Sequence, residues 1–148
     1  MSKTISYKGK LAMGLQEEIN CKTNNGKTGY KITKFQIIST TPGVGNQELV
    51  GKITSVPDPN VGPVVDFSTA EVLAVAYQVD IGNANAAASD TIIIDNQIFN
   101  QKIFVQIGDA ASGSTPANYY IELEKMSLSD LESTQVTLKN MRTIASSH

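Results

Sequence analysis

His148, the last residue, is the only histidine in the chain, and Cys21 is the only cysteine. A Ser-His-Asp triad, a Cys-His dyad and a multi-histidine zinc site each need histidine held inside the fold, so all three are set aside. Cys21 follows a mixed apolar and polar run, where an unpaired cysteine is ordinarily a small buried thiol. As a nucleophile it would need an activating partner. One cysteine also allows no intrachain disulfide and no cysteine cluster around a metal.

Paired carboxylates are the remaining acid-base device. Glu122 and Glu124 stand two residues apart, roughly 7 Å along a strand, and glycoside hydrolysis uses carboxylates at comparable spacing. Such sites also need a cleft that stacks sugar rings, whereas this chain has no tryptophan and only 6% aromatic residues. The two glutamates read as the wet face of a strand. Gly43-Val44-Gly45 is followed by no GK[ST] and opens no helix, so it is no phosphate loop. Asp58, Asp66, Asp80, Asp90, Asp95 and Asp109 are scattered, and none forms the series of a calcium loop. Turn chemistry accounts for them, with a loop-built calcium site as the alternative. No enzyme, no cofactor and no metal is the expectation.

Those residues must be positioned by strands. From Asp90 to Leu128 the chain carries apolar runs, a polar loop and one cleanly alternating run. Tyr119, Ile121 and Leu123 share one face, and Tyr120, Glu122 and Glu124 the other, the period of a strand buried on one side. Ile103, Val105 and Ile107 alternate with Lys102, Phe104 and Gln106. Gly108 to Asn118 supplies the Gly, Ser, Asp, Asn and Pro that turn a chain. The pair reads as a long antiparallel hairpin at the centre of a sheet.

Earlier segments follow the same logic. Strands are expected over about Thr4 to Met13, Glu17 to Cys21, Gly29 to Ser39 and Leu49 to Val56. Parity breaks in the third, with Tyr30 and Ile32 on one face and Phe35 and Ile37 on the other. Either both faces are covered or a bulge near Thr33-Lys34 resets the register, and the bulge is preferred. Asn24-Asn25-Gly26 marks a turn. Thr41 to Asn46 is a loop, and Pro57 and Pro59 forbid a regular ladder. Val64 to Phe67 is short and extended. Ser68 and Glu71 resemble a capping pair, yet Val72 to Tyr77 alternates, so a turn and then a strand to about Val79 is the reading. Gly82 to Ser89 is a small-residue loop.

After Met126 the pattern changes. Ser129 and Glu132 fit a capping box. Leu131, Leu138 and Met141 recur at helical spacing, and Lys139 and Arg142 suit a helix C-terminus. Thr134, Val136 and Thr137 favour a strand instead. A helix over about Asp130 to Met141 is the reading.

The 148 residues fit one domain with a real core, and a net charge of -2 shows no basic excess for nucleic acid. MSKTISYKGK has no apolar core of a secretory signal, and no run approaches a membrane span, so a soluble chain made in a cytosol is expected. Seven or eight short strands with turns between them point to an all-β, antiparallel, jelly-roll-like β-sandwich with a short C-terminal helix.

Three blocks carry a resemblance: GKTGYKITKF at 26–35, DNQIFNQKIFV at 95–105 and NYYIELEKMSLSD at 118–130. With VDFSTAEVLAVAY at 65–77 and TLKNMR at 137–142, they resemble short virion-component proteins encoded by marine tailed bacteriophages. The resemblance covers most of the chain, carries no catalytic signature and transfers no functional residues. It implies a virion structural protein, and of these a capsid decoration or cement protein. Its partners would be the major capsid protein and copies of itself, as a homotrimer, with no nucleic acid and no membrane. The alternative is a tail-associated or fibre-like receptor- or carbohydrate-binding sandwich, with Tyr30, Tyr77, Tyr119 and Tyr120 as the residues to watch. A polar N-terminal arm over residues 1–10, anchored by Ile5 and Tyr7, and the segment 129–148, with Leu131, Leu138 and Met141, are the expected contacts. Deleting residues 1–10 is then expected to leave the domain folded and weaken its hold on particles.

Overall fold

A computed structural model of the chain describes residues 3–23, 26–43, 46–59, 61–80 and 90–146, with backbone only for 80, 90 and 140–146. Among the described residues, eight strands and one helix follow in order: β1 (Lys3–Leu11), β2 (Gln16–Asn20), β3 (Thr28–Ser39), β4 (Gln47–Thr54), β5 (Val72–Asp80), β6 (Asp90–Ile94), β7 (Lys102–Asp109), β8 (Ala117–Ser127) and α1 (Asp130–Ser146). They form a β-sandwich of two antiparallel sheets, one ordered β1-β8-β3 and the other β2-β7-β4-β5-β6. The expected loop at Gly82 to Ser89 lies outside the described residues.

Local alternation sets which side chains enter the core. On β8, Tyr119, Ile121 and Leu123 are buried, and the intervening Tyr120, Glu122 and Glu124 lie half-buried on the outer face. They are half-buried and not fully wet because β8 is flanked on both sides, by β1 and β3. The parity break in β3 is a bulge: the register shifts between Ile32 and Lys34, which returns Phe35 and Ile37 to the inner face. The bulged Thr33 donates its hydroxyl to the Glu122 carbonyl at 3.2 Å.

Two expectations are corrected. β7 and β8 are not a hairpin: they lie in opposite sheets, β7 between β2 and β4, β8 between β1 and β3. Each is already paired on both edges, and the 110–116 segment is long enough to cross from one sheet to the other. Residues 3–11 are not a projecting arm either. They are paired with β8 at nine successive positions, with Ile5 and Tyr7 packed against the core and Leu11 buried.

Both faces of β7 are buried, because residues 55–59 and 61–71 run as a strap over the outer face of the large sheet. Gln106 accepts from the Gly62 amide at 3.0 Å and donates to Asp58 Oδ2 at 2.9 Å. Gln16 and the Asp58 backbone exchange two hydrogen bonds, at 3.2 and 2.9 Å. Lys52 Nζ donates to the Val64 carbonyl at 2.6 Å and meets Asp58 Oδ2 at 3.4 Å. Under the strap, a Cβ on Gly108 would stand 2.7 Å from the Pro63 nitrogen, so only glycine lets the backbones approach this closely.

Helix α1 begins at a reciprocal capping box. The Ser129 amide donates to Glu132 Oε1 and the Glu132 amide to Ser129 Oγ, at 3.1 and 3.2 Å. Ser133 Oγ and Asn100 Nδ2 both donate to the Gly26 carbonyl, and Asn100 Nδ2 also donates to Thr137 Oγ1. These bonds fix one face of the helix to the end of the sandwich. Among the described residues no helix is long and apolar enough to cross a membrane.

Candidate functional site

The expected contact residues do not form one surface. Ile5 and Tyr7 point inward from β1. Leu131 and Leu138 are 68% and 48% exposed on α1, one above the other at a seven-residue interval. The Met141 side chain lies outside the described part of the structure, as does His148.

Residues with chemical potential turn out to be used structurally. Burial pushes the Cys21 thiol up from 9.0 to about 12, so it is a neutral thiol under ordinary conditions. It should resist thiol reagents in the folded chain and react once urea unfolds it, as a timed alkylation assay would show. The sign for stability follows. The unfolded chain ionises this thiol first, so the stabilisation is complete below 9.0 and is lost as pH rises through about 12. Glu122 accepts the Tyr120 hydroxyl at 2.8 Å. Asp109 Oδ1 accepts the Glu48 and Ala111 amides, capping the turn after β7. Among the described residues no three His, Cys, Asp or Glu side chains gather where they could hold a metal ion.

A concavity of about 710 Å³ lies where β5 and β6 pass the edge of β3 that faces away from β8. Strand register builds it. The cross-strand rows Lys8–Tyr120–Gln36 and Lys10–Asn118–Ile38 of the small sheet line one part. Ala76, Tyr77 and Gln78 of β5 and Ile92 of β6 line another. Ile92 is 46% exposed although its partner in the register, Ala76, is buried, because the sheets do not close over it. Gly9, Ile37 and Tyr119 complete the lining. A Cβ on Gly9 would stand 2.9 Å from the Tyr119 ring, which crosses β1 there to donate its hydroxyl to Glu17 Oε1 of β2 at 2.9 Å. Burial first, and that carboxylate second, push the Tyr119 phenol well up from its ordinary value, so it stays a donor.

Of the four tyrosines singled out in the sequence, Tyr77, Tyr119 and Tyr120 thus meet in one cleft. Tyr30 does not; it is buried and stacked on Phe99 with ring centroids 6.0 Å apart. Sequence reasoning missed Lys8, Lys10, Gln36, Gln78 and Asn118. The shared parity of Lys8 and Lys10 was visible, but amides carry no local signal, and only strand pairing brings these five together. A smaller groove of about 390 Å³ joins Phe67 of the strap to Ile93 on the outer face of β6. Compared with known protein families the chain matches no family model, and compared with curated proteins it matches none.

Proposed function

We propose that this chain is a structural component of a tailed-phage particle, a jelly-roll-like decoration or cement protein that binds and stabilises the capsid shell. The observation that carries the reading is the strand order. In a jelly roll a long two-stranded ribbon wraps into two sheets, so that first pairs with eighth, second with seventh, third with sixth and fourth with fifth. Pairs β1–β8, β2–β7 and β4–β5 are present, as are the β8–β3 and β7–β4 contacts that the wrapping creates. The β3–β6 pair departs from this: β6 is hydrogen-bonded to β5 and only flanks β3. Double-sheet jelly rolls recur in viral capsid proteins and in lectins, which supports a particle role without specifying it.

The resemblance to phage virion components supports the same reading, and so does the surface. Val64 and Phe67 on the strap are 72% and 59% exposed, with Ile93 beside Phe67. Exposed apolar side chains that adjoin, as Phe67 and Ile93 do, are candidates for cover by another protein. The partners proposed are the major capsid protein and further copies of this chain, with a trimer matching the three-fold positions of an icosahedral shell. Recombinant protein should co-sediment with purified capsids that lack it, and a Val64→Asp, Phe67→Asp double variant should retain its fold while binding at least about tenfold less, each lost apolar contact being worth on the order of 1 kcal/mol. Detection of the protein only on tails in labelled virions would sink the decoration assignment.

One observation favours a second reading, a carbohydrate-binding sandwich used in host recognition. It is the convergence of Tyr77, Tyr119 and Tyr120 with three amide side chains in a single cleft.

A further inference from the structure

We propose that the cleft between β3 and strands β5 and β6 binds an acidic saccharide, with Lys8 and Lys10 meeting its carboxylate. This rests on the carbohydrate reading and adds the charge of the ligand to it.

The argument begins with how charge is distributed over the outer face of the small sheet. At one end acid and base are matched, with Lys31 directly opposite Glu124 and Lys34 opposite Glu122. On the β1 side those glutamates face Thr4 and Ser6, which are neutral. The next two rows, the ones that line the cleft, hold Lys8 and Lys10 and no carboxylate. Neither lysine forms an ion pair among the described residues. The carboxylate nearest in the register, Glu122, lies one row away, where it accepts the Tyr120 hydroxyl at 2.8 Å and stands opposite Lys34. Two ammonium groups on one strand face, two residues apart, leave a local positive potential that an anion relieves.

A small inorganic anion would satisfy the lysines and leave the remaining lining unused. Gln36, Gln78 and Asn118 each present an amide, whose adjacent donor and acceptor match vicinal hydroxyls. Tyr77, Tyr120, Ile38 and Ile92 supply apolar surface for the C–H face of a ring. The volume of about 710 Å³ falls within the roughly 300–1,000 Å³ of small-ligand sites.

Calorimetric titration of the full chain tests this with oligomers of galacturonic acid. The same oligomers after carboxyl reduction keep the rings and lose the charge. The acidic oligomer should bind, more weakly as salt rises, and the reduced one about tenfold more weakly, the ordinary worth of one charge-assisted contact. A Lys8→Gln, Lys10→Gln double variant should lose about tenfold for the acidic oligomer and nothing for the reduced one, while Lys31→Gln changes neither. Unchanged urea midpoints for both variants keep a folding defect from being read as lost binding. Equal binding of the two oligomers would overturn the charge assignment and leave the carbohydrate reading standing. Binding of neither would overturn both. An equal loss in Lys31→Gln would overturn the site, since general surface charge would then be responsible.

Discussion

A chain that begins at Ala12 should fail to fold. Removing residues 1–11 takes away β1, and with it the hydrogen bonds that pair it to β8 from Lys3–Lys125 to Leu11–Ala117. The small sheet would shrink from three strands to two, and β8, a central strand, would become an exposed edge. The packing of Ile5, Tyr7 and Leu11 against the core would go too. Burial of such side chains contributes roughly 1.5–3 kcal/mol each when complete, and whole domains of this size are stable by about 5–15 kcal/mol. The loss is thus comparable with the stability of the molecule. Far-UV circular dichroism and urea unfolding would check it: the truncated chain should show no cooperative transition. A cooperative transition near the full-length midpoint would return residues 1–10 to the role of a dispensable arm.

The second large effect is expected at the centre of the small sheet. Ile121→Ala or Leu123→Ala should each lower stability by about 2–5 kcal/mol, through lost burial and an unfilled cavity. Both side chains are 0% exposed, and Ile121 stands opposite Phe35 and Tyr7 in the register. The strands on either side hold the backbone in place, so collapse around the cavity is limited. Glu122→Ala, one residue away on the outer face, should cost well under about 1 kcal/mol. It stands opposite Lys34 in the register and its carboxylate accepts the Tyr120 hydroxyl on a face that is partly solvated. Chemical denaturation of the three variants gives the comparison. Equal losses at 121 and 122 would mean that the two faces of β8 are not distinguished as the structure has them.

Periodicity belongs to a single strand, and what depends on it alone was legible in the residues. The inward face of β8, the bulge at Thr33, the strand from Val72 and the capping box of Ser129 and Glu132 are all local patterns. Each is decided by how neighbouring side chains alternate or by one side chain reaching its own backbone three residues on.

Partner choice is different. β7 and β8 follow one another in the chain and look like a hairpin, yet each finds better-matched edges elsewhere, β8 with β1 and β3 and β7 with β2 and β4. An edge can pair with any strand of suitable length and facing, so no residue within β8 records which one it will meet. Lys52 and Gln106 alternate as outward, wet positions should, but the strap crosses over them and buries both. The cleft shows the same limit most plainly. Its lysines come from β1, its amides from β3, β5 and β8, and its tyrosines from β5 and β8. The sequence determined which side of each strand these residues occupy. Only the pairing of strands far apart in the chain decided that they share a site, because that pairing turns on edges and packing that no single strand contains.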